Sequence, residues 1–345
     1  MFRSKTVLVV GAGASCEANF PDGRRLLNRI REMLDIRFNE FSQMHRGDRE
    51  IAQALRLFVP RGEYGEDYNN LLRAAWRIRD AAVLGLSIDN IIEQHDDDEG
   101  VALCGKLAII RAILEAEGQS FLTTIPNRED QIDIMRVAET WYGRFGQLLT
   151  ENISRRRAEQ VFENLRIVCF NYDRALQHYL PHSLTVSWGI TLAEARELVQ
   201  NLEILHPYGR VAPLRWEDGN GGIEFGHSNR GLDEHRVDQI RTYSERIEDD
   251  AALAQIRNTV AWAEQVVFLG FAFHAPNMEL LRPVDPAARR VLATVYELPE
   301  NEKRQIEIQI RGMFNLPPGV DGLVLHDGKC SDLIRENWRT LSAEP

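Results

Sequence analysis

Cysteine is scarce in this chain, with four residues in 345. They stand far apart, at Cys16, Cys104, Cys169 and Cys330, and none belongs to a C-x-x-C pair. A four-cysteine zinc module and a disulfide framework both need paired or regularly spaced cysteines. We therefore expect no zinc module, no bound metal, and a protein that works in the reducing cytoplasm.

Long apolar runs and clusters of basic residues are also lacking. No stretch approaches the ~20 apolar residues of a membrane-spanning helix, and the residues before the first predicted strand lack the apolar core and cleavage site of a signal peptide. The net charge is −11, and no segment forms a basic face that would neutralise nucleic-acid phosphates. We expect a cytoplasmic protein with no membrane partner and no direct nucleic-acid binding, although a partner protein could supply the latter.

Apolar runs typical of buried strands recur along the chain. The first, at residues 6–10, is rich in β-branched residues and stops at Gly11, as expected of a strand covered on both faces of a parallel sheet. Similar segments follow at 166–170, 202–205, 265–271, 291–296 and 322–326, with helical patterns such as 192–202 and 249–264 between most of them. This alternation predicts an α/β fold with one doubly wound, Rossmann-like parallel sheet.

The long segment between the first two predicted strands is mostly helical in pattern. It has two apolar helix faces, one at 101–114 and one formed by Leu71, Ala75, Ile78 and Ala82, and turn clusters such as 61–65 and the acidic run at 96–99 separate its helices. We expect one domain, residues 1–345, that contains a large helical insertion at approximately 38–160.

A glycine turn directly follows the first predicted strand. Its residues are Gly11, Ala12, Gly13, Ala14 and Ser15. Glycines let the backbone turn tightly and approach a pyrophosphate closely, and the start of a helix offers free N–H groups. A G-x-G turn alone is weak evidence of a nucleotide site. The dehydrogenase fingerprint does not continue here, because Cys16 stands where its third glycine would be.

Polar residues follow the predicted strand at 166–170. Asn171 and Asp173 lie at the carboxyl edge of the sheet, where α/β proteins bind their ligands. For Asp173, a role as the cap of the next helix is as well supported as a role in a binding site. His206 follows another short strand, and an ordinary imidazole pKa lets it accept a proton at neutral pH.

A third candidate segment lies at the end of the predicted strand at 265–271. Gly270 and Phe271 stand where a small backbone lets a ribose and phosphates lie against the sheet. Asn277 either adds a polar contact or caps a loop. His178 and His182 are interrupted by Pro181, which argues against a metal-binding pair.

The order of these motifs resembles the sirtuin family. After the G-A-G-x-S turn, Pro21, Asp22 and Arg24 match the spacing of the family's P-D-x-R motif, and N-x-D, histidine and glycine elements then follow in the family's order. The sequence departs from sirtuin deacetylases where Phe170 replaces Gln, Tyr172 replaces Ile, Pro-Tyr separates His206 from the following glycine, and Ala272 replaces Ser. The departures at 170 and 172 are typical of SIR2-like NADases of bacterial anti-phage defence.

The resemblance implies a sirtuin/DHS-type fold that takes NAD as its substrate. It implies two groups of site residues. The catalytic residues would be Asn171, Asp173 and His206. The residues that hold the dinucleotide would be Gly11, Ala12, Gly13, Ala14, Ser15, Pro21, Asp22, Arg24, Gly270 and Phe271.

The implied activity is hydrolysis of NAD to ADP-ribose and nicotinamide by a triggered effector that depletes NAD in abortive infection. Because the chain lacks the four-cysteine module beside which sirtuin deacetylases bind acyl-lysine peptides, a protein deacylase is the second choice. A non-catalytic NAD or ADP-ribose sensor is the third. The resemblance also implies a homo-oligomer and a genetically linked partner, such as an ATPase or a nucleic-acid sensor, with the helical insertion as the contact region.

Overall fold

The computed structural model describes residues 2–59, 66–126, 128, 131–227, 232–242, 245, 249–319 and 321–343. Within these ranges, six strands form one parallel sheet in the order β3-β2-β1-β4-β5-β6. They are β1 (Thr6–Val10), β2 (Leu165–Cys169), β3 (Glu203–Leu205), β4 (Gln265–Leu269), β5 (Arg290–Thr294) and β6 (Leu323–His326). This is the Rossmann strand order. The predicted α/β class and Rossmann-like parallel sheet are confirmed.

The strand register brings the candidate segments to one place. Val10 at the end of β1 pairs with Cys169 of β2 on one side and with Leu269 of β4 on the other. Leu205 at the end of β3 pairs with Val168. The chain therefore leaves all four strands at the same carboxyl edge. The strand order reverses between β1 and β4, which makes this pair the topological switch point where Rossmann-like proteins bind ligands.

Several predicted strands end earlier than the apolar pattern does. Phe170, Gly270 and Phe271 lie beyond their strands in the loops of the carboxyl edge. Phe170 and Phe271 are nevertheless buried. Hydrophobicity reports burial and not the hydrogen-bond ladder, so the pattern alone cannot mark where a strand stops.

Helices cover both faces of the sheet. Between β1 and β2 these are α1 (Ala12–Ser15), α2 (Gly23–Leu34), α3 (Arg49–Leu57), α4 (Glu66–Ala81), α5 (Ile88–Glu93), α6 (Glu99–Gln119), α7 (Ile134–Val137) and α8 (Trp141–Thr150). After β2 these are α9 (Ala175–Trp188), α10 (Leu192–Gln200), α11 (Glu234–Val237), α12 (Asp250–Trp262), α13 (Ala275–Leu281), α14 (Glu300–Phe314), α15 (Cys330–Glu336) and α16 (Trp338–Ser342). Two 3₁₀ turns, Cys16–Ala18 and Arg155–Gln160, complete the set.

The segment predicted to be a helical insertion contains α3 to α8. Ala75, Ile78 and Ala82 are buried as the pattern predicts, and most of α6 lies inside the core. A short antiparallel hairpin, Arg37–Phe38 with Met44–Arg46, was not predicted. The turn predicted at 61–65 lies outside the described residues. Of the helices described, none combines the length and apolarity that a bilayer crossing requires.

Alternate residues of β1 anchor the core on opposite faces of the sheet. Val7 and Val9 pack with α2 and α6, whereas Leu8 and Val10 pack with α8 and α9. All five residues of the strand are buried. Because the strand is covered on both faces, the glycine turn that follows it is fixed in position by the core.

Candidate active site

The glycine turn after β1 packs backbone to backbone against the loop after β4. The Gly11 N–H donates to the Leu269 carbonyl and the Gly13 N–H to the Gly270 carbonyl, both at 2.9 Å. A Cβ on Gly11 would lie 2.6 Å from the Gly270 oxygen. Gly270 has φ +57°, and a Cβ there would lie 1.9 Å from the Ala14 nitrogen. Both positions therefore require glycine, and the two loops meet at the switch point.

The tip of this turn faces solvent. Ala12 and Gly13 are exposed, while Ala14 and Ser15 are buried. The Gly11, Gly13 and Ala14 N–H groups all donate to backbone carbonyls. Among the described residues, the Ala12 N–H has no such acceptor. The helix α1 is only four residues long, so its dipole is small. The predicted helix-terminus contribution to anion binding is correspondingly weak.

Asn171 connects the glycine turn to the histidine segment. Its Nδ2 donates to Gly11 O at 3.1 Å and to Ser15 Oγ at 2.9 Å, and its backbone carbonyl lies 3.1 Å from His206 Nδ1. The side chain is 6% exposed. Its Oδ1 is buried and has no hydrogen-bond partner among the described residues. A buried acceptor without a partner is costly, which marks this atom as a contact for a water or ligand.

Ser15 and Asp173 form a buried pair behind Asn171. Ser15 Oγ donates to Asp173 Oδ2 at 2.9 Å. Because that hydroxyl has one proton to give, it accepts from Tyr142 OH, which lies 3.3 Å away. Asp173 Oδ1 accepts from the Ala175 N–H at 3.0 Å. The N-cap position of α9 is Arg174, which makes no side-chain cap bond, so Asp173 is not the N-cap that the sequence offered. Asp173 instead contacts the first N–H of α9 and the glycine turn.

Burial raises the pKa of Asp173 to about 6, against the hydrogen bonds from Ala175 and Ser15, which lower it. The carboxyl group therefore titrates close to neutral pH. Both of its oxygens already accept bonds from the protein, so its direct effect is on the position of Ser15 and the start of α9.

His206 lies half-buried at the end of β3 and contacts two amide-bearing residues. Its Nδ1 faces the Asn171 carbonyl at 3.1 Å, and its Nε2 lies 2.7 Å from Gln177 Nε2. Burial lowers the pKa of His206 to about 3; the nearby Arg210 also lowers it, and the bond to the Asn171 carbonyl opposes the shift. The imidazole is therefore neutral at physiological pH.

Aromatic rings line the same edge. Phe271 packs against Phe170 with ring centroids 5.0 Å apart, and Phe170 packs against Tyr208 at 5.9 Å. The Tyr208 hydroxyl donates to Asn277 Oδ1 at 2.6 Å. Asn277 thus makes a polar contact from inside α13, and it does not cap a loop.

The residues of the predicted P-D-x-R motif make their contacts with segments other than those of Asn171 and His206. Asp22 is the N-cap of α2 and accepts from the Arg25 N–H at 2.7 Å. Arg24 is exposed and donates to Gly85 O at 3.1 Å, and Pro21 is half-buried. These contacts attach the segment to the loop between α4 and α5.

Two residues at the edge were missed in the sequence. Gln177 contacts His206, and the half-buried Asp89 of α5 accepts a hydrogen bond from Tyr172 OH. Burial raises the pKa of Asp89. Gln177 sits in the first turn of α9, and its contact with His206 joins segments 29 residues apart, so no local pattern pointed to it. Asp89 belongs to a helix distant in sequence and carried no signal.

Cys16 is partly buried and His178 is buried within the fold. Burial raises the pKa of Cys16 to about 11, so its thiol stays protonated. The ring of His178 stacks on Phe225 at 4.0 Å and its Nε2 bonds Leu122 O at 3.0 Å. Within the described ranges, no group of three or more His, Cys, Asp or Glu residues is arranged to hold a metal ion.

Two comparisons with known proteins bear on family membership. A scan of the chain against protein-family models matched none of them, and a search of curated proteins found no match.

Proposed function

We propose that the carboxyl edge of the sheet binds NAD and hydrolyses its bond between nicotinamide and ribose. The observation that carries the proposal is the position of Asn171. This residue contacts the glycine turn through its side-chain Nδ2 and His206 through its backbone carbonyl, while its Oδ1 has no partner among the described residues. Phosphate-binding and sugar-binding elements would thus be adjacent at a switch point.

The glycine turn would receive the pyrophosphate. Ala12 and Gly13 are exposed at its tip, and the missing side chains of Gly11, Gly13 and Gly270 let the two loops pack together and hold that tip in place. The Ala12 N–H is the available donor. The predicted roles of Ala14 and Phe271 would be indirect, because both are buried behind this surface.

Asn171 would hold the nicotinamide ribose. Its unpaired Oδ1 can accept a hydrogen bond from a ribose hydroxyl or from the attacking water, and its Nδ2 is already fixed by Gly11 and Ser15. An amide nitrogen that donates to two fixed acceptors keeps the orientation of the whole group, which provides the positioning that this reaction needs. Asp173 would act through Ser15, whose hydroxyl it holds at 2.9 Å.

His206 would accept the proton of a ribose hydroxyl or of the attacking water. Nicotinamide leaves as a neutral group while positive charge develops on the sugar, so the site needs a poised base more than a strong acid. His206 is neutral, but burial holds its pKa at about 3, which makes the ring a much weaker base than the near-neutral imidazole expected from the sequence. Its Nε2 is the atom that would take the proton, because its Nδ1 faces the Asn171 carbonyl. The Gln177 amide nitrogen, 2.7 Å from Nε2, would have to move aside for that transfer.

Nicotinamide release from NAD by the purified chain tests the proposal. We expect Asn171→Ala and His206→Ala to lower the release rate by roughly 10²-fold or more while leaving the circular dichroism spectrum unchanged. Asn201→Ala and His45→Ala are matched controls, because both side chains are exposed. The assay is run with the chain alone and with any genetically linked partner protein.

A non-catalytic NAD or ADP-ribose sensor is the second candidate. The contact that favours it is the 2.7 Å approach of Gln177 Nε2 to His206 Nε2, which occupies the atom that a base must keep free. Calorimetric binding of NAD with no nicotinamide release under either condition would establish the sensor. Release that requires an acyl-lysine peptide would establish a deacylase instead.

The cellular role belongs to the same proposal. The motif resemblance to SIR2-like defence effectors supports a cytoplasmic, NAD-depleting enzyme that acts as a homo-oligomer or with a linked partner such as an ATPase or nucleic-acid sensor. Cells expressing the chain should lose NAD after phage infection, and cells expressing Asn171→Ala should retain it. Equal NAD levels in both would remove the defence role.

A further inference from the structure

We propose that Gln177 is a positioning residue that keeps the base nitrogen of His206 unprotonated. Gln177 lies in the first turn of α9, is 5% exposed, and places its amide nitrogen 2.7 Å from His206 Nε2. The inference rests on the proposed function in one respect, namely that it takes His206 as the base of the reaction.

The Asn171 carbonyl decides which ring nitrogen of His206 carries the proton. A backbone carbonyl can only accept, so the His206 Nδ1 that faces it at 3.1 Å must be the donor. In a neutral ring the other nitrogen, Nε2, then has only a lone pair. The group that faces Nε2 must therefore be a donor.

The same argument fixes the orientation of the Gln177 amide. If its Oε1 faced Nε2, the ring would need protons on both nitrogens, and burial strongly disfavours that cation. The amide nitrogen therefore points to the ring, and Oε1 points away. Oε1 is indeed buried and without a partner among the described residues. Asn171 Oδ1 and Gln177 Oε1 are thus two buried acceptors without partners among the described residues, and other atoms of the same two residues contact His206.

Among the described residues, Arg210 is the charged group that shifts the pKa of His206. Arg210 lies near it on the segment after β3, and its Nη1 is paired with Glu217 at 2.8 and 2.9 Å. On the segment after β2, both oxygens of Asp173 accept bonds from Ser15 and Ala175. Gln177 itself is uncharged. Substitutions at Gln177 therefore change the group that donates to His206 Nε2 and leave the charges of Arg210, Glu217 and Asp173 in place.

Replacement of Gln177 should raise the pKa of His206 in a fixed order. A donor to Nε2 stabilises the neutral ring, so Gln177→Met should raise the pKa by about 0.5–1 unit. Gln177→Glu places a carboxylate where the imidazolium can donate to it, and should raise the pKa by about 1–2 units or more. Gln265→Glu is the matched control, since Gln265 is also buried but lies at the opposite edge of the sheet.

Nitrogen-detected NMR of the ¹⁵N-histidine-labelled full chain tests the inference directly. His206 is assigned from the signals lost in His206→Asn. In the parent chain Nδ1 should be protonated and Nε2 unprotonated near neutral pH, and the ring titration should shift upward from parent to Gln177→Met to Gln177→Glu. A parent ring protonated at Nε2, or the same titration in all three proteins, would overturn the proposal.

The pH profile of nicotinamide release adds a second measurement. Its acidic limb should move upward in the same order, while Gln265→Glu leaves it in place. Absence of release from every protein, the parent included, would count against the proposed function alone, because the NMR titration would still decide the role of Gln177. If Gln177→Glu does not fold, the shift of Gln177→Met and the parent tautomer decide it.

Discussion

Because His206 stays neutral in the folded protein, it should make the stability of the protein fall at acidic pH. Replacing this histidine should remove that part of the pH dependence. Folding moves the pKa of this histidine from 6.5 to about 3, because burial disfavours the imidazolium and Arg210 adds to the effect. A lowered histidine pKa means that its full contribution to stability is present above the unfolded value. The contribution is lost as the pH falls through 6.5, since the unfolded chain then binds a proton that the folded chain does not.

The magnitude follows from the linkage relation. Each pH unit over which one state binds one proton more than the other changes the free energy of unfolding by about 1.36 kcal/mol. Between about pH 8 and about pH 5, His206 should therefore cost the parent chain about 2 kcal/mol of unfolding free energy. His206→Asn keeps a donor for the Asn171 carbonyl but does not titrate, so it should lack this loss.

Urea unfolding followed by tryptophan fluorescence at both pH values measures the effect. The quantity of interest is the change in unfolding free energy of the parent minus that of His206→Asn. Asp173, whose raised pKa of about 6 gives a contribution of the opposite sign, is present in both proteins and cancels. His45→Asn, at an exposed position, should behave as the parent does. Equal pH dependence in the parent and in His206→Asn would refute the assignment of a buried neutral ring.

Three further substitutions test the framework of the site. Gly270→Ala should lower the unfolding free energy by about 1–3 kcal/mol for its positive φ alone, and by more because the new Cβ would lie 1.9 Å from the Ala14 nitrogen. Urea unfolding should show lower stability and calorimetry weaker NAD binding, whereas unchanged values would contradict the close contact. Arg174→Met leaves the fully buried Glu117 without its ion-pair partner and should lower the unfolding free energy by about 3–5 kcal/mol. Glu117→Gln in the same chain should restore part of this loss, and full stability of the single variant would contradict the prediction. Thr294→Val removes the hydroxyl that accepts from the Gly270 N–H at 2.8 Å. It should lower the unfolding free energy by about 1–3 kcal/mol, as measured by thermal unfolding. No change would mean that water replaces the hydroxyl.

Much of the sheet could be predicted from the sequence because buried parallel strands have a strong local signal. The run at 6–10 is apolar and β-branched throughout, and all five residues are buried in β1. The same holds for β4, whose five residues are buried as well. Strand ends were less well predicted, because Phe170 and Phe271 continue the apolar pattern into loops whose rings pack on one another.

Part of the candidate site was also visible in the sequence. Gly11, Asn171, His206 and Gly270 each follow an apolar strand, and the register of the parallel sheet places the strand ends side by side. A glycine or a polar residue at the end of a buried strand is a local feature, so it could be recognised without the fold. The assignment of NAD to these residues stays a prediction.

What the sequence determined by itself is therefore the set of strands and the residues that end them, since both depend on short stretches of chain. Only the tertiary structure decided that Asn171 bonds both Gly11 and His206, that Gln177 occupies Nε2, and that the ordinary pKa expected for His206 falls to about 3. The physical reason is that hydrogen-bond partners and desolvation come from segments distant along the chain. No local pattern encodes the distance at which such segments meet.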